Sequence, residues 1–407
     1  MRRIDFLLSL GALLTSTLLA QTRVERLASV APAPSAPVAP SDRIAAIERR
    51  LDIARLMTAN HVPGLSVAVI DGCRIAWAKG YGVTEAGGSN PVTADTLFLA
   101  GSISKSVSAL GALALVESGK LSLDEDVNRR LRSWRVPAGP YSAQPVTLAR
   151  LLDHTAGFTG GEFYPGYEIG APLPSLVQIL DGQPPATNPA VRVSFMPGSK
   201  WQYSGDGYLV VQQLMIDVSG RSFAELMREL VFARLDMRRT TFEQPLPNDL
   251  SASAAAGTRI DGSQVRGKWH VTPELAAAGL WSTPTDLAKV AIEVALSAQG
   301  KANRVLSRNR TVDMLAPHVS DGVINILGTA EDPDAMGYGF FVGAKTHRFG
   351  HVGGHVGYQA TFVMFADSGN GAVIMTNSDH GLLVGNQMLN AIATEYRWNY
   401  TVPSAPS

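Results

Sequence analysis

Residues 102–118, SISKSVSALGALALVES, constrain this chain more than any other stretch. Past its first turn the segment is almost wholly apolar, and a helix that is apolar all round must be buried. Burial on every side needs a large surround, which 407 residues can supply as one large domain or two intermingled ones. The same helix carries Lys105 into that dry setting. A buried lysine is costly unless it is paired or neutral. Desolvation lowers its pKa, and the neutral amine is a base. Ser102, three residues earlier, is its neighbour on the helix face. Lys105 can therefore take the proton from Ser102 and turn the hydroxyl into a nucleophile. The helix N-terminus adds a potential that favours negative charge near that serine. A bare S-x-x-K pattern also fits a serine cap beside a solvated lysine; its position at the start of a buried helix is what favours chemistry.

The surround can be sketched from periodicity and turn residues. Residues 42–59 have helical apolar spacing after a capping Ser-Asp start. GLSVAVID and RIAWAKGYGV flank a glycine turn and read as a hairpin. Helices are expected at 147–153, 174–181, 206–219, 222–233, 284–298 and 305–316. Strands return at 338–344, 346–352 and in a hairpin over 358–377, and a helix at 383–397 closes the chain. The expected fold class is α/β (α+β): one antiparallel sheet built from N- and C-terminal segments and flanked by helices, with an α-helical region inserted over about residues 120–320. The folded domain should span 42–400.

Ahead of it, residues 21–41 form an Ala/Pro-rich linker, with SVAPAPSAPVAPS as its core. Residues 1–20 place Arg2 and Arg3 before FLLSLGALLTSTLLA, which has the form of a secretory signal. The expectation is export, periplasmic or secreted; the alternative is an uncleaved segment tethering the protein to the inner membrane. The formal net charge of zero gives no basic bias toward nucleic acid. The single cysteine, Cys73, cannot make an internal disulfide and reads as a turn residue.

Two further stretches carry polar chemistry. In HVGGHVGY, His351 and His355 stand four apart, as in helical zinc sites. Gly353, Gly354 and Gly357 oppose a helix, no Glu follows the first histidine, and on a strand the two would lie about 13 Å apart. No metal site is expected. Glycines on an edge strand would instead let a substrate backbone approach closely. The N–H of Gly354 could then join the N–H of Ser102 as an oxyanion donor pair. In PGSKWQYSGDGYLVVQQLMIDVSG, Tyr203 precedes a helix; a phenolate there would be stabilised by a lysine ammonium and could shuttle a leaving group's proton.

Taken together, Ser102-x-x-Lys105, Tyr203-Ser204 and His351-x-Gly353 resemble the serine β-lactamase/penicillin-binding-protein superfamily. Within it they resemble the class C β-lactamase-related branch of esterases, D-stereospecific peptidases and β-lactamase-like hydrolases. The stretches PGLSVAVI, TLFLAGSISKS, GKLSLDEDV, LLDHTAGF, FMPGSKWQYS, AAGLWSTPTDLAKV and GHVGGHVGYQATF extend the likeness along the domain. The resemblance implies a covalent acyl-enzyme on Ser102, with Lys105 and Tyr203 sharing the acid/base work. It implies that the strand His351–Gly354, with Gly353, binds substrate main chain and completes the oxyanion hole, and that His154 is structural. No cofactor is implied. The substrate would be a small molecule or peptide: an ester, a D-amino-acid peptide or amide, or a β-lactam, as in carboxylesterases and D-Ala-D-Ala carboxypeptidases. A monomer is expected. The alternative is a non-catalytic or slowly deacylating penicillin-binding domain. Two departures favour esters or peptides over lactams. Gly205 stands where many relatives have Asn, with Asp206 a weak substitute, and His351 stands where the classical enzymes have Lys.

Overall fold

The computed structural model describes residues 39–402. The expected signal and residues 21–38 of the linker lie outside the described residues. Pro40 and Ser41, assigned to the linker, belong to the first helix, α1 (Pro40–Arg50). The single helix expected over 42–59 is two. Leu51 is extended, and the Asp52 carboxylate accepts from the backbone N–H of Arg55, capping a new helix, α2 (Ile53–Ala59). A side chain that competes for backbone donors in this way interrupts helices. The expected Ser-Asp cap does not form, since α1 starts at Pro40 without a side-chain cap.

The expected hairpin is β1 (Gly64–Asp71) and β2 (Arg74–Gly82). A short ribbon pairs β3 (Phe98–Leu99) with β4 (Trp281–Ser282). The C-terminal part adds β5 (Asp334–Met336), β6 (Phe341–Gly343), β7 (Arg348–His355), β8 (Tyr358–Phe365) and β9 (Asn370–Thr376). All but the ribbon form one seven-stranded sheet in the order β2-β1-β9-β8-β7-β6-β5, antiparallel at every step. Both ends of the chain thus meet where β1 pairs with β9, as the strand distribution implied.

The 338–344 strand is shorter than expected. The N–H of Tyr338 goes to Met314 and that of Gly339 to Leu152, so this backbone is tied to neighbouring segments and not to the ladder. β5 forms just before it.

Period-two alternation sorts the sheet residues into two cores. Leu65, Val67 and Val69 of β1 join Ala372 and Ile374 of β9 beneath α1 and the C-terminal helix. Ala68 and Ile70, with Val373, Met375, Ala360, Phe362 and Met364, face the larger core on the opposite side. That core contains α3 (Ile103–Glu117), buried continuously from Ile103 to Leu115. Its buried serines are each satisfied by a neighbour's backbone: Ser104 Oγ donates to Gly101 O, Ser106 Oγ to Gly339 O, and Ser108 Oγ to Ala276 O.

The inserted helices are α4 (Leu148–Leu152), α5 (Leu176–Asp181), α6 (Gly205–Ser219), α7 (Phe223–Met227, continuing as a π-helical turn to Phe232), α8 (Asn248–Ser251) and α9 (Leu275–Ala278). The next helix, α10 (Pro284–Ala298), falls inside the span expected for the insertion but packs on β1 and β9 of the sheet. α11 (Arg308–Met314) and α12 (Gly381–Glu395) complete the chain; α12 covers β8, β9 and β1 from the other side. Among the described residues no helix is long and apolar enough to cross a membrane.

Candidate active site

Ser102 is the residue from which α3 starts, in helical conformation at φ −65° and ψ −9°. The ribbon β3–β4 fixes the turn before it, with Ala100 N donating to Leu280 O at 2.8 Å. Lys105, one turn into α3, is 1 % exposed. Its Nζ lies 3.1 Å from Ser102 Oγ and 2.8 Å from the carbonyl of Ala277 in α9. Among the described residues no carboxylate pairs with it. Burial therefore lowers its pKa to about 7, so near neutral pH a large share of it is free amine. One hydrogen then goes to Ala277 O, and the lone pair is available to the Ser102 hydroxyl. The α9 turn is itself held by Gln212 of α6, whose side chain bonds Ala276 N and Pro273 O.

Tyr203 lies on the opposite wall. Its ring packs 4.5 Å from the ring of His154, and Lys105 Nζ is 4.9 Å from its centroid. Burial pushes the Tyr203 hydroxyl well up, and its interaction with Ser102 only partly offsets this. The phenolate expected from the sequence is thus disfavoured: Tyr203 is a neutral phenol. His154 holds a left-handed conformation (φ 65°) and accepts the Ser204 N–H on Nδ1 at 3.2 Å. It supports the Tyr203 loop from behind, and burial keeps its pKa well below the usual histidine value.

β7 forms the third side. It is not an edge strand, since it lies between β8 and β6. Yet β6 pairs only with Phe349 and Gly350, which leaves residues 351–355 without a strand on that flank. The hairpin to β8 closes at His355↔Tyr358 and pairs Gly354 with Gln359. Antiparallel alternation then turns the N–H of Gly354 away from β8, to the flank that β6 leaves open.

Gly353 serves a purpose other than the expected one. A Cβ on Gly353 would overlap the Ala100 carbonyl oxygen, and one on Gly101 would sit 2.6 Å and 2.7 Å from Gly354 O and N. Gly353 and Gly101 let the turn before Ser102 seat on the strand, and so fix how close that turn comes to Gly354. His351 Nδ1 donates to Val352 O at 2.5 Å, and burial, reinforced by the charge of Lys105, lowers its pKa to about 3. His351 is neutral and offers no charge to a substrate carboxylate. His355 is separately engaged, with Nε2 2.9 Å from Thr272 Oγ1. Among the described residues no cluster of three metal-ligating side chains occurs.

The structure also explains Gly205. The carbonyls of Gly160 and Gly161 accept from Asp206 N at 3.3 Å and Gly205 N at 3.0 Å, and Ser204 Oγ donates to Gly160 O at 2.7 Å. A Cβ at Gly205 would overlap the Gly161 carbonyl and lie 2.6 Å from the Tyr164 ring. The 160–164 loop fills the space that an asparagine side chain would need here. Asp206 does not replace it, because its carboxylate takes the Tyr164 hydroxyl at 2.5 Å. Gly205→Asn is accordingly expected to lower stability by about 1–3 kcal/mol through overpacking. Urea unfolding checks this; an unchanged midpoint would show that the loop yields freely.

Ser102, Tyr203, His351 and Gly354 share a cavity of about 410 Å³. Sequence reasoning missed three of its walls: Glu162, Trp201 and the apolar pair Ile324 and Ile326. The glycine pair before Glu162 was the available signal, since two adjacent glycines mark a backbone approached closely from outside.

The family described as Beta-lactamase matches residues 50–394. An unguisins hydrolase (ungD′) of Aspergillus campestris is 31% identical over 190 residues, covering 44% of this chain and 33% of that protein. Penicillin-binding protein 4* of Bacillus subtilis is 29% identical over 179 residues, covering 43% of this chain and 37% of the relative. The chain therefore spans about a third of the length of these curated relatives. The D-amino acid amidase of Ochrobactrum anthropi SV3 has the same fold, with a TM-score of 0.68 at 21% identity over 87% of this chain and 99% of the amidase. The match along most of its length, over the fold and site described above, shows that the chain belongs to the Beta-lactamase family.

Proposed function

We propose that the protein is a serine hydrolase that works through an acyl-enzyme on Ser102. The observation that carries this is the Lys105 amine, dry, without a counter-ion among the described residues, and 3.1 Å from the Ser102 hydroxyl. Ser102 Oγ attacks the substrate carbonyl as Lys105 takes its proton. The carbonyl oxygen becomes an oxyanion held by the N–H groups of Ser102 and Gly354. Tyr203 then gives its hydroxyl proton to the leaving group as the bond to the carbonyl carbon breaks, and recovers a proton from the Lys105 ammonium. Water enters on the freed side and attacks the acyl carbon as the same pair takes its proton; that proton passes to Ser102 Oγ as the bond from Oγ to the acyl carbon breaks, which releases the acid.

The substrate is a small ester, amide or peptide. D-amino-acid amides fit this class, given the amidase neighbour; β-lactams rank lower because neutral His351 cannot pair with their carboxylate. The Arg2-Arg3 start and the apolar run after it further support export, with an inner-membrane tether as the alternative arrangement.

The pH profile tests the assignment of the base. Lys105 must be neutral to accept the proton, so kcat/KM for an uncharged ester should rise about tenfold per pH unit below an apparent pKa of about 7 and level off above it. With its pKa near 3, His351 does not titrate in that range. A profile flat between roughly pH 5 and 9 would remove Lys105 as the base.

A further inference from the structure

The cavity around Ser102 carries a charge that the mechanism does not use. Glu162 lines it and is exposed. Among the described residues its side chain has no ion-pair or hydrogen-bond partner, and no arginine or lysine lines the cavity. The one nearby amine, Lys105, is sealed behind Ser102 and committed to it. Its placement is built in. Gly160 and Gly161, immediately before it, are bonded to Ser204, Gly205 and Asp206 at the start of α6, and Tyr164, just after it, to Asp206. The glycine at 205 makes that seating possible. The loop occupies the space that a side chain at 205 would need and brings a carboxylate to the cavity.

An unpaired carboxylate in a concave, partly apolar site attracts a cation and repels an anion. Trp201 lines the same cavity, its ring centroid 6.4 Å from that of Tyr203, and an indole face also favours a cation. Ile324 and Ile326 leave room for an apolar side chain.

We infer that Glu162 is a specificity-determining residue that receives a primary ammonium group, so that the substrates are esters or amides of amino acids with a free α-amine. This rests on the hydrolase reading above. The ammonium donates to the Glu162 carboxylate, orienting the adjacent carbonyl toward Ser102. A substrate with a free carboxylate at that place is disfavoured.

The test compares alanine benzyl ester, in both D and L forms, with its N-acetyl counterpart and with benzyl propionate. The wild-type protein should show kcat/KM at least tenfold higher for the free amine than for the N-acetyl ester, a charge-assisted hydrogen bond being strong enough for that ratio. In Glu162→Gln the ratio should fall toward one, through KM more than kcat. In Glu162→Lys it should invert in favour of benzyl hydrogen succinate. A wild-type ratio near one, or a preference that survives both substitutions, overturns the inference while benzyl propionate turnover keeps the hydrolase reading standing. Failure of all the esters, benzyl propionate included, to acylate or turn over removes that reading and the inference with it.

Discussion

Ser102→Ala is expected to reduce ester hydrolysis by about 10⁶-fold, the scale seen when the nucleophile of a cooperating serine constellation is removed. Stability should barely change. The Ser102 side chain does not cap α3, so the helix keeps its start without it. Among the described residues its side chain meets Lys105, which remains bonded to Ala277 O, and the hydroxyl of Tyr203. The residue is partly exposed at the cavity, so little apolar contact is lost. Initial rates with an uncharged ester, paired with urea unfolding, check both halves. Residual activity within tenfold of wild type would place the nucleophile elsewhere.

Lys105→Met should be almost as damaging to catalysis, by about 10⁴-fold or more, because base and nucleophile act as a unit. Its effect on stability has a distinct pH signature. The folded pKa of Lys105, about 7, lies far below the ordinary value of 10.5. Between those two values the unfolded chain binds a proton that the folded protein does not. Wild-type stability should therefore rise with pH across that window, by up to about 1.4 kcal/mol per unit from this residue. The penalty for burying the amine is largest at and below pH 7 and vanishes above the unfolded value. Met fills similar space without a charge, at the expense of leaving Ala277 O unpaired, which costs about 1–3 kcal/mol. The stability difference between Lys105→Met and wild type should thus be most favourable to the variant near neutral pH and shrink as pH rises. Urea titrations at two pH values measure it, and a pH-independent difference would contradict the low pKa of Lys105.

Much of this architecture was legible in the sequence because it rests on local pattern. The apolar run after Ser102 had to be a buried helix, and the paired runs 64–82 and 358–376 had to be hairpins. What remained hidden depends on contacts between distant segments. The Asp52 cap that splits the first helix is local, but its preference over a continuing helix is decided by packing in the core beneath α12. The strand expected at 338–344 is shortened because Met314 and Leu152 take its N–H donors.

The candidate site divides in the same way. Ser102, Lys105 and Tyr203 could be chosen by residue type and place, and the fold brings all three together. The reason for Gly353 was misread, since the group that needs its space is Ala100, far away in the chain. Gly205 looked like a lost function, whereas it is the seat of the loop that carries Glu162. The protonation states of Tyr203 and His351 depend on burial, which spacing does not reveal.

The central claim is tested most directly by intact-mass spectrometry of the full chain mixed with a slowly hydrolysed acyl donor, followed by peptide mapping. The account predicts one acyl group per chain, located on the peptide containing Ser102, formed faster at pH 8 than at pH 6 and absent from Ser102→Ala. An acyl group mapped to another residue, or the same adduct in Ser102→Ala, would contradict it.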